Sequence, residues 1–82
     1  MITLNYTSLQ VSEGIELPEL DFIPSEIHVN LYLSSEDKLG ENVLVPVGLA
    51  VEKYKIDTEK VFIDTEDELS KELYSRIKII IK

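Results

Sequence analysis

Between Ile27 and Leu33 the chain reads IHVNLYL, with Ile27, Val29, Leu31 and Leu33 alternating with His28, Asn30 and Tyr32. A two-residue period sends successive side chains to opposite sides of an extended backbone. The segment therefore predicts a strand with one dry face and one wet face, and the rest of the chain has to supply its sheet partners.

Other segments offer them. Ile2, Leu4 and Tyr6 share a face before the pattern slips phase to Leu9 and Val11, which predicts a first strand with a bulge or kink. Residues 12–25, SEGIELPELDFIPS, interleave acids with Ile15, Leu17, Leu20, Phe22 and Ile23. Pro18 and Pro24 deny this stretch a long helix or a central strand, leaving an extended connection laid over the core. Val43, Val45, Val47, Leu49 and Val51 alternate with Leu44, Pro46, Gly48 and Ala50, predicting a long strand that turns a corner near Pro46 and Gly48. Tyr54 and Ile56 on one side of Asp57-Thr58-Glu59-Lys60, and Val61 and Ile63 on the other, predict a hairpin. Thr65-Glu66-Asp67-Glu68 has the capping-box pattern and predicts a short helix with Leu69, Leu73 and Tyr74 as its apolar stripe, ending near Ser75. The closing RIKIIIK, from Arg76 to Lys82, is rich in β-branched residues and predicts a last strand. The expected fold is mainly β: one domain over residues 1–82, a small β-barrel of about six strands with one short C-terminal helix before the last strand.

The 82 residues include no cysteine, which excludes disulfides, thiolate metal sites and cysteine nucleophiles. The longest nearly unbroken apolar run, Val43 to Val51, is far short of a membrane span. The N-terminal MITLNYTSLQ has no basic segment followed by an apolar core, so it does not read as a signal peptide, and a cytoplasmic location is the default expectation. The net charge of −8 is unevenly spread: residues 1–37 hold seven acids and no Lys or Arg, while residues 38–82 hold nine acids against eight bases. Phosphate backbones are bound by clustered bases, so direct contact with nucleic acid is not expected and a basic protein surface suits the first half better. Solubility alone also accounts for an acidic surface.

Catalytic outfits are thin. His28 is the one histidine, on the wet face of its strand, and reads as an ordinary surface or half-buried residue. Gly14, Gly40 and Gly48 form no phosphate-cradling motif. Asp64, Glu66, Asp67 and Glu68 lack the pattern of a cation-binding loop and read as helix-capping acids. No catalytic residue, metal or cofactor is expected. The candidate contact with another molecule is the acidic-apolar run, with Glu13, Glu16, Glu19, Asp21, Phe22 and Glu26 as its contact residues. The plainer reading of the run is a loop whose apolar side chains tuck under the sheet.

Val43-Leu44-Val45-Pro46, then Val51 to Asp57, Val61-Phe62-Ile63-Asp64 and Glu68-Leu69, resemble the C-terminal part of a PRC-barrel domain, the small barrel of the photosynthetic reaction-centre H subunit and the ribosome-maturation factor RimM. The glycine-rich strand pair with which that family usually opens has no counterpart between Met1 and Ser35. The resemblance implies a non-enzymatic protein-binding or assembly role, with no shared catalytic residues. Two functions are expected: an adaptor that contacts a protein partner or forms a homo-oligomer, or, from the seven acids and no bases of residues 1–37, a small acidic inhibitor that mimics nucleic acid and blocks a basic host surface.

Overall fold

The IHVNLYL segment does form a strand, but its neighbours differ from those expected. In a computed structural model, which describes residues 1–67 and 72–82, four strands form one sheet: β1 (Ile2–Thr7), β2 (Ile27–Leu33), β3 (Val61–Asp67) and β4 (Arg76–Ile81). Their order is β1-β4-β2-β3. β4 runs antiparallel to both β1 and β2, whereas β2 and β3 are parallel.

Parallel neighbours cannot be joined by a tight hairpin, so the chain between β2 and β3 must travel back along the sheet. It does so through a helix over Val45–Tyr54, called α2 because a shorter helix, α1 (Ser8–Glu13), precedes it in the chain. The expected corner-turning strand over residues 43–51 is therefore a 3-10 turn, Gly40–Leu44, followed by this helix. The apolar residues there fit a helical period as well as a two-residue one: Val43, Val47 and Ala50 are buried and Tyr54 is half-buried, while Val45 and Leu49 are exposed. Pro46 stands in the first turn, where a missing N–H breaks no helical hydrogen bond. Lys55 ends the helix in the left-handed region at φ 54°, its N–H donating to the Val51 carbonyl. The expected hairpin is replaced by this cap and a 3-10 turn, Thr58–Lys60, whose cap Asp57 accepts from the Glu59 N–H at 3.0 Å.

The first strand ends earlier than expected for a mechanical reason. Thr7 Oγ1 accepts from the Gln10 N–H at 3.1 Å and Gln10 Oε1 accepts from the Thr7 N–H at 2.8 Å, a reciprocal cap that starts α1. The phase slip at Leu9 marks this change from strand to helix. At the far end, Thr65, Glu66 and Asp67 continue β3 and do not start a helix. The remainder of the expected helix falls partly on residues 68–71, outside the described residues; Ser75 and its neighbours 72–74 lie in irregular structure.

One sheet face is dry across β4 and β2 and half-buried on β1, whereas on β3 the same face leaves Ile63 exposed. Ile77, Ile79 and Ile81 of β4 lie between Ile2, Leu4 and Tyr6 of β1 and Ile27, Val29 and Leu31 of β2. The three β4 isoleucines are at most 1% exposed, and burying each contributes about 1.5–3 kcal/mol. Val11, Val43, Val47, Ala50 and Ile56 cover this face, and Ile15, Leu17, Leu20 and Phe22 of the extended connection pack along its margin. The connection is tied down by Tyr54 Oη donating to the Pro18 carbonyl and by Ser25 and Glu26 N–H groups donating to the Lys82 carbonyl. The result is a two-layer α/β domain with an open four-stranded mixed sheet. This corrects the expected barrel of about six strands: among the described residues the sheet does not close, because β1 and β3 end it as separate edges. The shortest dimension, 18 Å, has room for the sheet and one covering layer.

Candidate binding face

Among the described residues no layer covers the other face of the sheet. Because β4 alternates, Arg76, Lys78 and Ile80 point opposite to the buried isoleucines. Register then fixes three rows across β1, β4, β2 and β3. They read Thr3–Ile80–His28–Phe62, Asn5–Lys78–Asn30–Asp64 and Thr7–Arg76–Tyr32–Glu66. Thr3, Asn5, Tyr32, Arg76 and Lys78 line a shallow groove of about 580 Å³.

The face is electrostatically split. Its two bases stand on β4, and its acids Asp64 and Glu66 stand on β3, two strand spacings or about 9.6 Å away. Standing side by side on one face at that spacing, with β2 between them, they do not pair. The ion pairs among the described residues are His28–Glu26 at 3.4 Å, Lys53–Glu19 at 3.0 Å and Arg76–Glu72 at 3.4 Å, and none includes Lys78, Asp64 or Glu66. His28 stacks on Phe62 with ring centroids 4.9 Å apart. Its buried Nε2 approaches the Glu26 carboxylate at ion-pair distance but without hydrogen-bond geometry.

The residues singled out in sequence lie elsewhere. Glu13 closes α1, and Glu16, Glu19 and Asp21 are spread along the extended connection, on the helix-bearing side of the molecule. Glu19 holds Lys53 of α2. Phe22 is half-buried against the core, and Glu26 alone reaches the margin of the open face, through His28. The connection thus tucks its apolar side chains inward and turns its acids outward, apart from Ile23, which is 94% exposed.

A second polar cluster sits at the end of the sheet where β2 leaves and β4 enters. Asp37 Oδ2 accepts from Ser8 Oγ at 2.6 Å and from the Ser75 N–H at 2.8 Å, while Oδ1 accepts from the Leu39 N–H at 2.8 Å. Ser75 Oγ accepts from the Ser34 N–H at 3.0 Å. Partial burial would raise the Asp37 carboxyl, but the Ser8 hydroxyl and the Ser75 and Leu39 amides outweigh it and hold it below its ordinary value. Every partner is a donor already used to fasten α1, the loop after β2 and the approach to β4, so the cluster is a clamp. Among the described residues no group of three or more His, Cys, Asp or Glu side chains gathers to hold a metal, and no helix is long and apolar enough to cross a membrane.

Arg76, Lys78 and Tyr32 do not stand out as contact residues in the sequence. The signal for them lies in the alternation of RIKIII, where the bases share the face opposite Ile77, Ile79 and Ile81. Comparison with protein-family models, with curated proteins and with solved structures finds no match to this chain.

Proposed function

We propose that this protein is a non-enzymatic binding module that joins an assembly through the uncovered face of its sheet, contacting a protein partner or a second copy of itself. The observation that carries the reading is an open face on which Phe62, 44% exposed, and the half-buried Tyr32 accompany split charge. Aromatic side chains and Arg are enriched at contact surfaces, and charges of both signs on one face supply electrostatic complementarity to a partner. A photo-crosslinking amino acid at position 30, at the centre of the face, is the test, with position 52 on the exposed side of α2 as control. Adducts from position 30 and not from 52 are expected in cells. A strict monomer with adducts from neither position counts against the module.

A second reading, the acidic inhibitor of a basic host surface, is favoured by one arrangement: Glu13, Glu16, Glu19 and Asp21 face outward while the neighbouring apolar side chains pack inward. Neutralising these four acids together abolishes binding on that reading and leaves it intact on the first.

A further inference from the structure

We infer that the open face is self-complementary and that its occupant is a second copy of this chain. The inference rests on the assembly-module reading and deepens it by naming the partner. Consider two copies stacked face to face, related by a two-fold axis that lies between the sheets and runs along β2. β2 then lies over β2, and β4 of each copy lies over β3 of the other. Strand direction is preserved, as in aligned sheet packing, and the rows stay in register.

Each row then meets its complement. Ile80 faces Phe62, Lys78 faces Asp64, and Arg76 faces Glu66, because each pair occupies the same row one strand to either side of β2. The stacking distance of about 10 Å lets such long side chains meet between the sheets. Lys78, Asp64 and Glu66, which lack ion-pair partners among the described residues, gain one each. Arg76 exchanges Glu72 for Glu66, a small change because its present pair is half exposed to water. A two-fold axis across the strands does the opposite: centred on the middle row, it sets Lys78 on Lys78 and Asp64 on Asp64. Charge therefore selects one docking arrangement. The patch is three strands wide, at the small end of specific interfaces, so self-association is weak and salt-sensitive.

Sedimentation equilibrium at up to about 1 mM protein and low salt tests this, in the concentration range of a small interface. A dimer is expected, with Lys78→Asp and Asp64→Lys each raising the dissociation constant by about tenfold or more, since each reversal creates two like-charge contacts. Mixing the two variants is expected to give a heterodimer tighter than either variant alone, because opposite charges meet again at both of its contacts between positions 78 and 64, one on each side of the axis. Circular dichroism melts of each variant establish that it is folded; if either is not, Arg76→Glu and Glu66→Arg undergo the same mixing test. A wild type that stays monomeric, single reversals that leave the dimer unchanged, or a mixture no tighter than the separate variants would each overturn the inference. If the wild type is monomeric yet position 30 crosslinks to a different protein, the dimer fails and the module stands; adducts from neither position remove both.

Discussion

Replacing Asp37 by Ala removes three acceptor contacts at once, and the cost is readable from the neighbours. Ser8 is fully buried and Ser75 is 1% exposed, so the Ser8 hydroxyl and the Ser75 N–H lose their carboxylate partner where water is scarce. Each unsatisfied buried donor costs about 1–3 kcal/mol. The Leu39 N–H is nearer solvent and adds less. A loss of about 3 kcal/mol follows, against a total stability for a domain of this size of about 4–12 kcal/mol. The melting temperature falls by about 15 °C, taking about 4–8 °C per kcal/mol. Urea denaturation followed by far-ultraviolet circular dichroism measures it, with the midpoint lowered and the slope unchanged. Asp37→Asn is the sharper variant: it keeps the size but presents an amide donor to donors, and about 2 kcal/mol is lost. The acid limb gives an independent reading. Because the folded carboxyl titrates below the unfolded one, its contribution is complete above the unfolded value of about 3.9 and disappears as pH falls through the folded value. Wild type therefore loses more stability than Asp37→Asn between neutral pH and about pH 3. A variant within about 0.5 kcal/mol of wild type, or identical acid limbs, would refute the clamp.

Gly48 lies inside α2, and a methyl group added there would meet nothing within 4 Å, so Gly48→Ala stabilises the domain by about 0.5–1 kcal/mol, read as a higher urea midpoint. Gly14, at φ 100°, holds a backbone shape that side chains resist; Gly14→Ala lowers stability by about 1–3 kcal/mol in the same titration although the space is open. Ile79 is wholly buried at the centre of the sheet, and Ile79→Ala costs about 2–5 kcal/mol, again measured by urea denaturation.

Individual strands are legible in the sequence where one face is wet and the other dry. IHVNLYL and RIKIII each carry that alternation and each form a strand. Ambiguity arises where apolar residues fill both periods: VLVPVGLAV satisfies a strand template by count, yet it forms a 3-10 turn and α2. Two similar capping patterns have opposite outcomes. Thr7-x-x-Gln10 starts α1, whereas Thr65-x-x-Glu68 begins within β3, where pairing of Leu31 with Thr65 and Leu33 with Asp67 holds the backbone extended. A capping pattern states that a helix can start; strand pairing, a tertiary effect, decides whether one forms. The split-charge face is hidden in the sequence because its bases and acids stand 10 to 14 residues apart along the chain and are placed on one surface only by register. The acids of the first half are visible at once, since they cluster in one stretch.

The strand order also dictates how the domain can be assembled. β2, α2 and β3 are consecutive and can pair without help, but β1 touches no strand except β4. The keystone is thus the last of the four strands to be synthesised, and residues 1–75 contain a first strand with nowhere to dock. Native pairing of Ile2 with Ile81 closes almost the full length of the chain, a loop that makes folding slow relative to helical domains of equal size. Until β4 arrives, the apolar sides of β1 and β2 remain open together, which places the period of greatest aggregation risk just before the final strand inserts.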